Sequence, residues 1–306
     1  MNKFSLKKEI NKQENEKRVL AHAREKMEKA RTMKLSIKEG ASCSVMSGLG
    51  DSYITPFALA LKASDFQIGL LSSLTSLFPP LAQIFGSKLI EKYSRKKIIV
   101  KAVALQALMW IPLALLAISL WKNIFTSNLP IILITFYTLY AVFGAVATPA
   151  WFSMMGDIVP DKHRGIYFGT RNKITGAVAL IATLIGAFIL DYFKTRGLVL
   201  IGFSILFFAA SLFRLYSAYL FSKHHEPKFE FKKKDDFSFI DFVKLAPYTN
   251  FGRFFFVAFV NFAVMIASPF FSVYMLQELH YSYITFMIVN ISSSVLLYYL
   301  CLSGAS

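Results

Sequence analysis

Apolar residues gather in eight long blocks, at about 41–62, 66–88, 97–121, 129–156, 171–192, 197–222, 249–277 and 282–303, with short polar stretches between them. An α-helix needs about 20 apolar residues to cross the hydrocarbon core of a bilayer, and each block reaches that length. Lipid offers backbone groups no hydrogen-bond partners, so each block must form a helix that satisfies its own. The pattern therefore predicts an all-α, polytopic bundle of eight transmembrane helices. Even spacing of the blocks excludes a single membrane anchor. Pro56, Pro79, Pro80, Pro112, Pro149 and Pro269 fall inside the blocks. Neighbouring helices can satisfy the backbone groups that these prolines free.

Composition agrees with this reading. Of the 306 residues 55% are hydrophobic and 31 are Phe, well above ordinary soluble usage. The net charge of +16 would suit nucleic acid, but the cations cluster between the spans instead of forming one patch, so no nucleic-acid partner is expected. Residues 1–40 hold twelve Lys or Arg and six Glu and read as a charged, solvated arm. No cleavable signal peptide is visible there. Cys43 and Cys301 lie far apart and make no disulfide framework or metal spacing.

The cations also set an orientation. The arm, the 88–101 loop, the 157–173 loop and the 214–253 segment hold all of them except Lys62, Lys122, Lys194 and Arg196. The rule that basic loops stay inside then puts the N-terminus in the cytoplasm, in a plasma or inner membrane. Residues 223–248 form a charged linker that separates six spans, 41–222, from the two within 249–306. Span 1 reads YITPFALAL and span 7 IASPFFSVY, so Pro56-Phe57 echoes Pro269-Phe270.

Between spans 2 and 3 stands SKLIEKYSRKK, residues 87–97. It resembles G-x-L-a-D-R-x-G-R-R, the signature loop of the major facilitator superfamily. Leu89 and the basic pair Arg95 and Lys96 match; Ser87, Glu91, Lys92 and Ser94 replace Gly, Asp, Arg and Gly. A second stretch, GDIVPDKHRGIYFGTRN at 156–172, resembles the P-x-x-x-R-G-x-x-x-G pattern found after helix 4 of that family. Pro160, Arg164, Gly165 and Gly169 carry it. The expected local structure is a helix end at Asp157, a tight turn, and a restart near Arg171. The resemblance implies two six-helix halves, an expected total of twelve spans of which the sequence holds eight, and rocker-type alternating access. It also implies a latch on the cytoplasmic side, built from Glu91, Arg95 and Asp157, with Lys92, Lys96 and Arg164 around it. The alternative is that these charges only set topology.

Asp51 stands out within a span, since a carboxylate near a helix centre costs about 2.5–3.5 kcal/mol to insert. Ser44, Ser47, Asp51 and Thr55 follow i, i+3, i+4 spacing and share a face. Such a face suits an aqueous path, with Asp51 exchanging a proton or cation, binding substrate, or making a static packing bond. Other candidate cavity-lining positions are Gln83, Tyr137, Tyr140, Thr148, Asn261 and Ser268. Spans 3 and 6 look uniformly apolar and are expected to face lipid, with Arg214 snorkelling from span 6.

Span 4 lacks the buried Arg of many proton-coupled family members, and span 5 lacks the G-P-x-x-G-G of drug antiporters. Nucleotide-binding loops, metalloprotease pairs and nucleophile elbows are absent from the sequence, so no enzyme and no cofactor or metal is expected. The reading is a monomeric secondary transporter whose partners are the bilayer, a small-molecule substrate and, where a proton gradient drives it, H+. The rivals are a truncated, non-transporting membrane fragment or interaction protein, and a membrane-embedded enzyme.

Overall fold

A computed structural model describes residues 3–124, 128–227 and 268–292, with residues 244, 248, 249 and 252. Asn261, most of the expected linker, the start of span 7 and the end of span 8 lie outside the described residues. Every described element is helical. Helix α1 is Lys3–Leu49, and a 3-10 turn at Asp51–Tyr53 leads into α2, Ile54–Ala60. There follow α3 (Asp65–Ile90), α4 (Arg95–Trp121), α5 (Leu129–Ile158), α6 (Arg164–Lys194) and α7 (Val199–Ser222). In the second half, α8 (Ser268–Val273) runs into a π turn at Tyr274–Glu278, and α9 is Tyr283–Ser292. Among the described residues five helices, α3 to α7, are long and apolar enough to cross a membrane.

Local chemistry sets the ends. Ser64 caps α3 in a reciprocal box with Gln67, and the Ser94 hydroxyl accepts from the Lys97 amide at the start of α4. α6 restarts at Arg164 instead of near Arg171. Only a short 3-10 turn at Asp161–His163 separates it from the end of α5. The polar first turns hid this start, because a helix that extends past the bilayer carries no apolar signal there.

The first span departs most from the expected pattern. α1 passes through residue 40 without interruption, so the last turns of the arm belong to the bundle. Thr32, Ser36 and Glu39 are buried, and Met33 and Ile37 pack on the core. The helix then breaks at Gly50. Pro56 lacks an N–H and clashes with the carbonyl four residues back, so a continuous helix through 52–56 is disfavoured, whereas the first turn of α2 tolerates it. The uninterrupted face of Ser44, Ser47, Asp51 and Thr55 is therefore split, and Asp51 sits in the break.

α1 packs on α6 and α7, α3 on α5, and α4 on both α5 and α7. α4 and α7 supply Trp110, Leu113, Phe203 and Phe207 to the deepest core. Each keeps one apolar stripe exposed, Leu105, Leu108, Ile111 and Leu115 on α4, and Ile205, Phe208 and Leu212 on α7. The expected lipid contact is thus confined to one face of each helix. Two close approaches depend on glycine. A Cβ on Gly86 of α3 would lie 2.6 Å from the Val146 carbonyl oxygen of α5, and one on Gly48 of α1 would lie 2.7 Å from that of Ala179 on α6.

Candidate functional site

Two polar constellations stand out among the described helices. The first lies at the basic end, where the arm, the α3–α4 turn and the α5–α6 turn meet. Ser94 caps α4, so Arg95 opens the helix and turns its side chain inward, where it is 1% exposed. Its Nη1 donates to Asp157 Oδ2 at 2.6 Å and Ser153 Oγ at 3.0 Å, both on α5. Its Nη2 donates to the Pro227 carbonyl at 3.0 Å. Charge-assisted bonds of this length are the strong ones. Glu91 does not join this cluster; it ends α3 and is exposed. The second carboxylate beside Arg95 is Glu226, just past α7. Its Oε2 accepts from Ser94 Oγ at 2.5 Å and its Oε1 from the Lys96 amide at 3.4 Å, with Arg95 Nε 4.0 Å away. No spacing in the sequence pairs residue 226 with residue 94. Lys92 is exposed. Arg164 pairs with Asp161 at 2.5 Å and donates to the Gly156 carbonyl, beside the cluster but outside it.

Next to the cluster, His224 is buried, its Nδ1 3.0 Å from the Leu220 carbonyl and its ring tilted against Phe221. Burial pushes its imidazole below the ordinary range, with smaller downward contributions from Lys96 and Arg171. The amide of His225 donates to Thr32 Oγ1 at 2.9 Å. The segment leaving α7 is therefore tied to α1, α4 and α5 together.

The second constellation lies inside the bundle. Tyr137 of α5 donates to Asp51 Oδ1 at 3.2 Å, while the neighbouring Tyr140 hydroxyl donates to Met46 Sδ at 3.2 Å. Tyr137 and Tyr140 stack at 5.1 Å, and Trp110 meets the Tyr140 ring edge-on at 4.8 Å. Gly50 makes room for that indole. Tyr137 and Tyr140 thus stand beside Asp51. Ser47 is half-buried in α1 and Thr55 in α2. Thr148 is half-buried and donates to the Gly144 carbonyl of its own helix. Gln83 and Ser268 are exposed and stand apart.

A buried ion network extends this constellation toward the basic end, and the sequence reading missed it. Glu39 is 2% exposed. Its Oε2 lies 3.3 Å from Arg171 Nη2 and its Oε1 accepts from Ser217 Oγ at 2.8 Å. Ser217 in turn accepts from Arg214 Nη1 at 3.1 Å, and Arg214 Nε donates to Gln106 Oε1 at 2.7 Å. Arg171 lies over the Trp151 ring, 4.8 Å from its centroid. Arg214 therefore does not snorkel; at 8% exposure it points into the bundle. Gln106 stands about 16 Å into α4 at 1.5 Å per residue, so the network reaches well inside the helix bundle. Glu39 reads as part of the charged arm because its neighbours in sequence are polar. The available signal was Thr32, Ser36 and Glu39 at i, i+4, i+7, a polar stripe on one helix face.

Comparison with known proteins extends this picture. A stretch of 137 residues is 28% identical to a Na(+), Li(+), K(+)/H(+) antiporter of Planococcus maritimus. It covers 44% of this chain and 31% of that relative, so the match spans less than a third of the antiporter. No solved structure matches the chain. The sequence profile of the Major Facilitator Superfamily matches residues 40–305, nearly the whole of the helical bundle. With its apolar crossing helices and this match, the chain belongs to the Major Facilitator Superfamily and is a multi-pass membrane protein.

Proposed function

We propose that the protein is a secondary active transporter that exchanges a small cation for protons by alternating access, with Asp51 as the shared site. The observation that carries this reading is the setting of Asp51. Its carboxylate lies at a helix break within the bundle and accepts from the Tyr137 hydroxyl, and among the described residues no Lys or Arg forms an ion pair with it. A carboxylate in that position gains from any cation that reaches it, whether a proton or a metal ion. Glu39 differs, because Arg171 and Arg214 already compensate it. The name of the antiporter relative supports Na+, Li+ or K+ as the exchanged ion. The distribution of cations supports a cytoplasmic N-terminus in a cell membrane. On that orientation the cluster of Arg95, Asp157 and Glu226 lies on the cytoplasmic side.

The test uses the intact protein in proteoliposomes that carry an imposed pH gradient. Addition of Na+, Li+ or K+ should collapse the gradient in the wild type. Asp51→Asn, which mimics the protonated carboxyl, should slow this collapse at least about tenfold; a loss of about 1.4 kcal/mol of coupling corresponds to that factor. Gradient collapse at the wild-type rate by Asp51→Asn would remove Asp51 from the mechanism.

A further inference from the structure

One side chain of the first half caps a helix of the second. Asp191 stands near the end of α6. Its Oδ1 accepts the backbone N–H of Tyr283 at 2.9 Å, and its Oδ2 that of Ile284 at 3.0 Å. These are the first two amides of α9, which have no acceptor within their own helix. Ser282 Oγ accepts the next free amide, that of Thr285, at 3.1 Å. The first turn of α9 is therefore capped by two residues, one of them from the other half of the molecule. A carboxylate suits this place, because the start of a helix carries partial positive charge.

The surrounding packing draws the same two elements together. The Tyr283 ring stands perpendicular to Phe203 of α7 with centroids 5.9 Å apart, and Lys194 Nζ lies 5.3 Å from its centroid. Phe286 and Met287, the next turn of α9, are buried in the main core cluster. All of this lies at the end of the bundle opposite the Arg95 cluster.

We propose that Asp191 is a positioning residue that holds the two halves closed at the end opposite the Arg95 cluster, by lending its carboxylate as the cap of α9. The proposal rests on the alternating-access reading. When the halves part at this end, Asp191 must release both amides, and α9 loses two of its three capping hydrogen bonds. The bond is thus made in one state and broken in the other, and it biases the equilibrium between them. The apolar contacts of Tyr283 and Phe286 add area to the closed state, while the two amide bonds fix its register.

The experiment measures distance across this end in the intact protein. Cys43 and Cys301 are replaced by Ser, and spin labels are placed at R196C and E278C, on either side of the contact. Asp191→Ala removes the acceptor. It should shift the ratio of short to long distances about fivefold toward long, the factor expected for a lost helix cap. Asp191→Asn keeps an oxygen acceptor and is a good cap, so its distribution should stay within about twofold of the wild type. Should the alanine protein fail to fold, Asp191→Leu, which lacks the acceptor but keeps a similar side-chain shape and good helix propensity, is read by the same criterion. An unchanged distribution in the protein that lacks the acceptor overturns the proposal. So does an asparagine protein as open as the alanine protein, since capping would then not be the cause. Transport is assayed separately. If the distances shift as expected but Na+, Li+ and K+ are not moved, the cation-exchange reading fails and the role of Asp191 stands.

Discussion

Glu39 lies in α1 and Asp51 in the break that follows it, yet their neighbours give them different work. Glu39 is held between Arg171 and Ser217, with Arg214 behind, and joins α1, α6 and α7. Removing one partner of a buried pair leaves the other charge uncompensated and typically costs about 3–5 kcal/mol. Glu39→Gln should therefore lower the thermal unfolding temperature of the solubilised protein sharply. Combining it with Arg214→Gln should recover part of the loss, since the charge left behind is removed. Strictly additive losses in the double variant would show that the two residues do not act together. Asp51→Asn should leave that temperature nearly unchanged, because the Tyr137 hydroxyl serves an amide oxygen as well as a carboxylate.

At the scale of elements, the bundle is built from helix pairs whose separation is set by small residues. α3 meets α5 where Gly86 faces the backbone of Val146. Gly86→Leu would place a side chain where only a hydrogen fits. Overpacking of this kind costs about 1–3 kcal/mol, and the obstacle here is backbone that cannot turn aside. The expected result is a lower unfolding temperature and poor recovery of folded protein. Gly156→Ala at the end of α5 is the control, since a Cβ there meets no atom within 4 Å. Equal effects from the two substitutions would refute the close-packing account. The break at Gly50 belongs to the same scale. It lets Trp110 approach the chain and frees Asp51 from the regular helix face.

The whole molecule has a tie at each end. Asp191 joins the two halves at one end. At the other, Arg95 binds the α3–α4 turn, the end of α5 and the segment leaving α7 into one unit. The described partners of Arg95 all precede the second half, so Arg95→Ala should loosen α4 from α5 and from the segment leaving α7 and lower the thermal unfolding temperature. Glu226→Ala should do so more weakly and Glu91→Ala hardly at all, because Glu226 and not Glu91 contacts the cluster. If Glu91→Ala matches Glu226→Ala, the assignment of the second carboxylate is wrong.

The sequence by itself determined the class of the molecule. Apolar blocks of membrane length leave the backbone no option but helix, and the basic loops between them carry the orientation signal. The motif residues Arg95 and Asp157 were legible because a short loop and a helix end hold them near fixed positions. Only tertiary structure decided which carboxylates join them. Glu226 reaches Ser94 from 132 residues away, and Glu39 is buried by helices that come much later in the chain. The same reason explains Arg214, which looked like a snorkelling residue until Gln106 and Ser217 stood opposite it. Asp191 carries no signal in the sequence, because a carboxylate at a helix end is ordinary until a distant helix brings two free amides to it. Hydrophobicity is a local property that a single stretch displays; the pairing of buried charges depends on which helices become neighbours.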